Sequence, residues 1–145
     1  MASFEKITDE SEVAGLIPQT SPMVMIGKLL ETEGDKTVTS FVIREDNLFC
    51  ENGRFLEAGL LENMAQTAAA GIGYQARQEN RLPPTGFIGG IKNLEIHSLP
   101  SLGDEILTKI TIEHRVFDAT VANGKIYLQG KVIAECELKI FLLKD

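Results

Sequence analysis

Phe55-Leu56-Glu57-Ala58-Gly59-Leu60-Leu61-Glu62-Asn63-Met64-Ala65-Gln66-Thr67-Ala68-Ala69-Ala70-Gly71 is the stretch that decides the fold. It is alanine-rich and free of proline, and it predicts a helix running from about Leu56 to Gln78. Pro83-Pro84 and Gly86 close that helix off. A helix apolar on nearly every face belongs inside a domain. A carboxylate within it, Glu62, is costly there unless it is paired, hydrogen-bonded or put to chemical use. Gln66 follows four residues later, on the same face. An acid and an amide on one stripe of a buried helix are the first candidate functional pair.

Working outward, the flanks read mostly as strand. Asp9 followed by Glu12 is a capping-box-like start for a short helix over residues 9–16, ended by Pro18. Met23–Leu30 is apolar and extended, Gly34-Asp35 is a turn signal, and Thr37–Ile43 alternates with β-branched residues, so the two segments predict a hairpin. Residues 46–54 read as a polar loop ending in Asn52-Gly53. Beyond the helix, Phe87–His97, Glu105–Val116, Ala119–Leu128 and Lys131–Leu143 read as strands. Ile106, Thr108, Ile110 and Ile112 point one way within the second of these. An antiparallel sheet with an apolar face must be covered. A 22-residue helix, roughly 33 Å long, is the right size for a sheet of about five to seven strands to wrap. That is an α+β chain with the hot-dog fold, read as one domain over residues 1–145. Exposed sheet edges are a liability, so a homodimer or higher oligomer is expected.

Composition narrows the function classes. Hydrophobic residues make up 43% of the 145, enough for a core, and the formal charge of −7 argues against a nucleic-acid partner. No apolar run has membrane-spanning length, and Met1-Ala2-Ser3-Phe4-Glu5-Lys6 does not read as a signal peptide, so a reduced, cytoplasmic setting is expected. Cys50 and Cys136 are far apart and outside metal-type spacing, and His97 and His114 suggest no zinc site. No metal and no cofactor is expected.

The motifs in order resemble those of the FabZ-type 3-hydroxyacyl-(acyl carrier protein) dehydratases. More closely, they resemble the short-loop dehydratase-like proteins of aryl polyene pathways. The likeness spans Leu16 to Phe141. Leu16-Ile17-Pro18-Gln19-Thr20-Ser21-Pro22-Met23 resembles the family's Leu-Pro-His-x-x-Pro-Met/Phe entry. Glu62-Asn63-Met64-Ala65-Gln66 resembles its Glu-x-Met-Ala-Gln helix motif. Gly90-Ile91 through Leu102-Gly103-Asp104, and Gly130-Lys131-Val132-Ile133-Ala134-Glu135, resemble its later strands.

The resemblance implies chemistry for the helix. Removing water from a 3-hydroxyacyl thioester needs a base for the C2 proton, an acid for the C3 hydroxyl and donors for the enolate oxygen. Glu62 takes the place of the helix carboxylate and Gln66 that of the amide orienting it. Substrate contacts are implied at Asn52 in the loop and at Glu57, Ala58 and Gly59, where helix-start amides favour an oxyanion. Phe87, Ile88, Gly89 and Gly90 are implied as walls of an acyl channel. The implied partner is an acyl carrier protein or an acyl-CoA thioester. Lys92, Arg77 and Arg81 are the cations that would attract an acidic carrier.

The chain departs from the pattern at three places. The family's loop reads Gly-His-Phe-Pro-Gly; here it is Phe49-Cys50-Glu51-Asn52-Gly53-Arg54-Phe55, with no histidine. Gln19 replaces the entry-motif histidine and Glu57 the helix-start glycine. An imidazole accepts a proton at neutral pH; Asn52 and Gln19 do not. Three functions fit: a dehydratase-like protein acting on or binding acyl thioesters, a hot-dog thioesterase using Glu62, or a non-catalytic acyl-binding subunit of a heteromeric dehydratase. Beside these stand bland readings. Cys50 is a packing cysteine without an activating neighbour other than Arg54. His97 faces solvent, and His114 is structural, on the face of Ile110 and Ile112. Gly71, Gly73 and the Gly89-Gly90 pair relieve crowding.

Overall fold

The computed structural model describes residues 4–143; Met1–Ser3, where the signal-peptide reading begins, and Lys144-Asp145 lie outside the described residues. Helix α1 (Glu10–Ala14) precedes strands β1 (Lys28–Glu33), β2 (Lys36–Val42), β3 (Cys50–Glu51) and β4 (Arg54–Phe55). Helix α2 (Glu57–Gln78) follows, then β5 (Gly86–Ile96), β6 (Glu105–Val116), β7 (Ala119–Leu128) and β8 (Lys131–Leu142). Six strands form one antiparallel sheet in the order β1-β2-β6-β7-β8-β5. Helix α2 touches β1, β2, β5, β6 and β7, so the sheet wraps it in the hot-dog arrangement.

Alternation explains the seam. Ile106, Thr108 and Ile110 are buried while Leu107 is exposed. They meet Leu60, Met64 and Ala68 of α2, with Ile126, Leu138 and Ile140 alongside. A second cluster of Ile7, Val13, Leu16, Ile17, Ile26, Leu29 and Ala70 packs the N-terminal segment on the opposite flank of the helix. Asp9 caps α1 by accepting from the Ser11 and Glu12 amides, and the Ser11 hydroxyl and these amides hold its carboxyl below the usual range.

Three expectations change. Met23–Gly27 is not strand; the ladder starts only at Lys28. Met25 gives its backbone groups to the helix instead: its N–H donates to Gln66 Oε1 at 2.6 Å and its carbonyl accepts from Asn63 Nδ2 at 2.7 Å. The loop over residues 46–54 contains the small β3–β4 hairpin, closed by Asn52 and Gly53 at φ 52 and 77. That left-handed pair is the turn Asn-Gly favours. A register shift between Ile112 and His114 breaks the alternation of β6, so His114 is exposed and does not continue the Ile110–Ile112 face.

The helix glycines are packing devices. A Cβ at Gly71 would lie 2.3 Å from Thr37 Oγ1, and one at Gly73 would lie 2.0 Å from Leu16 O. The second contact is with backbone and has no side chain to move aside. Gly73→Ala therefore loses stability despite alanine's better helix propensity. Overpacking of this kind costs about 1–3 kcal/mol, a fall in Tm of roughly 4–10 °C. A thermal melt showing no fall would mean that Leu16 yields freely.

Candidate active site

Glu62 is half-buried, not enclosed as the all-round apolar helix implies. The helix turns it toward a cavity of about 180 Å³ between α2, the Leu16–Gln19 segment and strands β5 and β8. Ala65, Ala69 and Ile72 continue the helical wall, with Phe87, Ile88 and Ile140 opposite. Spacings of three, four and three residues put these helix positions on one stripe, so Glu62 stands at one end of a largely apolar groove whose wall also includes Gln19.

Gln66 fixes the carboxylate. Wholly buried, it donates from Nε2 to Glu62 Oε1 at 2.9 Å and to the Met23 carbonyl at 2.7 Å, while its Oε1 accepts from Met25 N–H. All three contacts lie within the chain, so Gln66 is a positioning residue for the acid and a tether for the entry segment. Asn63, one residue after Glu62, is equally buried and links Met25 to the Thr108 hydroxyl of β6. The Thr67 hydroxyl donates to Asn63 O at 2.8 Å and lies 2.7 Å from the Thr39 hydroxyl of β2. This polar seam locks the helix rotation that aims Glu62.

Of the substrate contacts expected from sequence, Phe87 and Ile88 share the cavity with Glu62. Asn52, Glu57 and Ala58 are exposed at the hairpin tip and helix start, outside that wall. Leu56 gives α2 no side-chain cap; the Gly59 N–H donates to the Leu56 carbonyl at 2.9 Å, which leaves the Glu57 and Ala58 amides as the open ones of the first turn. Gly59 is buried under the Phe55 ring, 2.5 Å from where a Cβ would be. Gly89 sits at the register shift of β5, where a Cβ would lie 2.3 Å from the Phe141 ring; Gly90 pairs with Lys139. Sequence reasoning passed over the cavity residues Gln19, Pro83, Pro84 and Leu142. Only Gln19 carried a signal, as the substituted position of the entry motif.

Neither histidine lines the cavity; both are exposed. His97 Nε2 is 3.8 Å from a carboxylate oxygen of Glu95 and 3.8 Å from one of Glu135, residues paired directly across β5 and β8. Among the described residues, these three form the group whose ligand atoms lie close enough together to hold a metal ion. All lie open to water or nearly so, and the imidazole between two like charges is an ordinary surface arrangement. The Cys50 thiol is pushed up by burial and by the Asp46 carboxylate, and burial alone raises Cys136 to about 11. Both shifts run against a thiolate nucleophile. A larger cavity, about 420 Å³, lies toward the C-terminal half of α2. Its acids Asp35 and Glu79 are engaged by Arg115 and Arg81.

Comparison with known proteins bears on this geometry. The profile of the ApeP-like family, described as ApeP dehydratase, matches residues 11–145. The chain belongs to that family. It is 28% identical over 143 residues to 3-hydroxyacyl-[acyl-carrier-protein] dehydratase FabZ of Clostridium botulinum, covering 93% of this chain and 96% of that one. The FabZ of Ruminiclostridium cellulolyticum is also 28% identical, over 137 residues, covering 92% of this chain and 96% of its own. Among solved structures, the dehydratase heterocomplex ApeI:P from Xenorhabdus doucetiae superposes with a TM-score of 0.85 at 15% identity, covering 92% and 91% of the two chains. A hypothetical thioesterase with coenzyme A from Streptococcus pneumoniae gives 0.64 at 13% identity, covering 81% and 85%. At such identities the structures bear on the fold alone, which is the hot-dog fold. No described helix of this ApeP-like chain is long and apolar enough to cross a membrane.

Proposed function

We propose that this chain is the carboxylate-bearing subunit of a 3-hydroxyacyl thioester dehydratase whose base comes from a second hot-dog subunit. One observation carries the reading: Glu62, held by Gln66, faces an apolar groove that no histidine of the chain lines. The groove takes the acyl chain and Glu62 serves the C3 hydroxyl. An imidazole from the partner takes the C2 proton, near neutrality, as this chemistry requires. Helix-start amides at Glu57, Ala58 and Gly59 lie outside the Glu62 cavity, and a second subunit brings such donors from its own helix.

The partner's place is the β5 edge. Among the described residues no strand pairs with its outer side, and Phe87, Ile91 and Leu94 are exposed along it at 52%, 42% and 42%. Phe87 is also a cavity wall, so a subunit docked there covers the groove it completes. The similar Xenorhabdus structure is a dehydratase heterocomplex, which supports a second subunit. The FabZ names of the relatives support an acyl carrier protein as the thioester donor. On this chain's side, Arg77 lies beside Glu12 and over Tyr74, and Arg81 meets Glu79. Of the three cations expected at the carrier, Lys92 on β5 thus stands nearest the proposed interface by sequence.

The test is reconstitution. The chain alone should give little enoyl product from 3-hydroxyacyl thioesters; mixed with a hot-dog subunit carrying a loop histidine, it should turn over and sediment as a complex. Full activity of the chain by itself would remove the need for a partner base. The thioesterase reading is favoured by the carboxylate site that lacks a histidine. Free thiol released without any enoyl product would support it instead.

A further inference from the structure

We infer, on the acyl-thioester reading above, that Ile72 is the stop that limits the length of acyl chain held at Glu62. Two cavities meet at this residue. Ala68, Ile72 and Ile140 are walls both of the cavity of about 180 Å³ that Glu62 faces and of the cavity of about 420 Å³ farther along α2. Side chains of the helix and of β8 thus make the partition between them. Ala68 and Ile140 are fixed there, since each is buried in the main core cluster. Ile72 is only half-buried and, among the described residues, joins neither apolar cluster. A β-branched side chain on a helix holds essentially one χ1 rotamer. Ile72 is therefore a standing wall and not a swinging lid.

Helix geometry sets how far a chain can run. Ile72 follows Glu62 by ten residues, roughly 15 Å along the axis. Ala65 and Ala69 lie between them on the same stripe and present only methyl groups to the groove. A chain whose C3 hydroxyl is held at Glu62 passes these alanines and meets its first large helix side chain at Ile72. Beyond that wall the second cavity is more than twice the size of the first. Thr37 and Thr120 line it, and it reaches the surface among the exposed Asp35, Glu79, Arg81 and Arg115. Room for a longer chain is already present, and one side chain withholds it. Each added methylene strengthens binding while there is apolar space to bury it. Past the wall, a further methylene strains the packing or stays in water. Ile72 touches none of the bonds that change, so its role is specificity.

Binding decides the matter separately from turnover. Non-reactive thioether analogues of 3-hydroxyacyl pantetheines, with even chains from four to sixteen carbons, are titrated into wild type, Ile72→Ala and Ile72→Phe, in the reconstituted complex where one forms. In wild type, affinity should rise about fourfold per methylene and then level off or fall at a definite length. Ile72→Ala should carry the rise past that length, so that the analogue two methylenes longer gains about tenfold or more over the one at the limit. Ile72→Phe should end the rise earlier. Thr120→Phe, which fills the second cavity, should cancel the gain on the Ile72→Ala background. Ile72→Val and Thr120→Leu serve if the first variants fail to fold. A limit that stays put in Ile72→Ala, or a gain that survives the filled cavity, overturns the inference. So does a wild-type affinity that never levels off or that ignores length altogether. If no analogue binds wild type at all, the acyl-thioester reading itself fails and takes this inference with it.

Discussion

Glu62→Gln abolishes dehydration by the reconstituted protein, a loss of roughly 10²–10⁴-fold, and leaves the fold and the complex intact. The amide keeps the size of the side chain and can still accept from Gln66 Nε2, whose bond to Glu62 Oε1 is 2.9 Å. What it cannot do is exchange a proton with the C3 hydroxyl. Because Glu62 is half-buried and has a neutral partner, the swap removes no ion pair from the core, so Tm should move by only a few degrees. Enoyl absorbance measures the activity, and sedimentation together with a thermal melt checks the structure. His97→Ala and His114→Ala are the controls: both residues are exposed and outside the cavity, so activity should stay within a few-fold. A glutamine variant with wild-type turnover, or a dead histidine variant, would show that the site lies elsewhere.

Asn63→Ala produces a large loss of stability. The side chain is wholly buried, donates to the Met25 carbonyl and accepts from the Thr108 hydroxyl. Truncation leaves two buried groups without partners and a void between helix and sheet. The two effects together come to about 2–5 kcal/mol, read as a lowered urea midpoint at unchanged slope. Because Met25 also bonds Gln66, the entry segment loosens and Gln66 loses part of its hold on Glu62. Activity in the reconstituted complex should therefore fall even under conditions where the variant remains folded. A midpoint shift worth under about 0.5 kcal/mol, the level of an ordinary surface change, would show that water replaces these bonds without cost.

The amino-acid order by itself determined the frame: one long helix over Glu57–Gln78, strands at Glu105–Val116 and Ala119–Leu128 to the residue, and an antiparallel sheet around the helix. Those features follow from local periodicity, which the hydrophobic pattern records directly. It also named Glu62 with Gln66, because four residues on a helix fix a shared face. Where Met23–Gly27 was read as strand, the local pattern was outweighed by helix side chains 38 and 41 residues away that take the Met25 carbonyl and N–H. The half-exposure of Glu62, its meeting with Gln19, Phe87 and Ile88, and the separation of Glu57, Ala58 and Gly59 from that cavity were decided only in three dimensions. So was the free β5 edge beside the groove. Each depends on contacts between segments far apart in the chain, such as Asn63 with Thr108 across 45 residues. Their energies arise from packing and desolvation that no local spacing encodes.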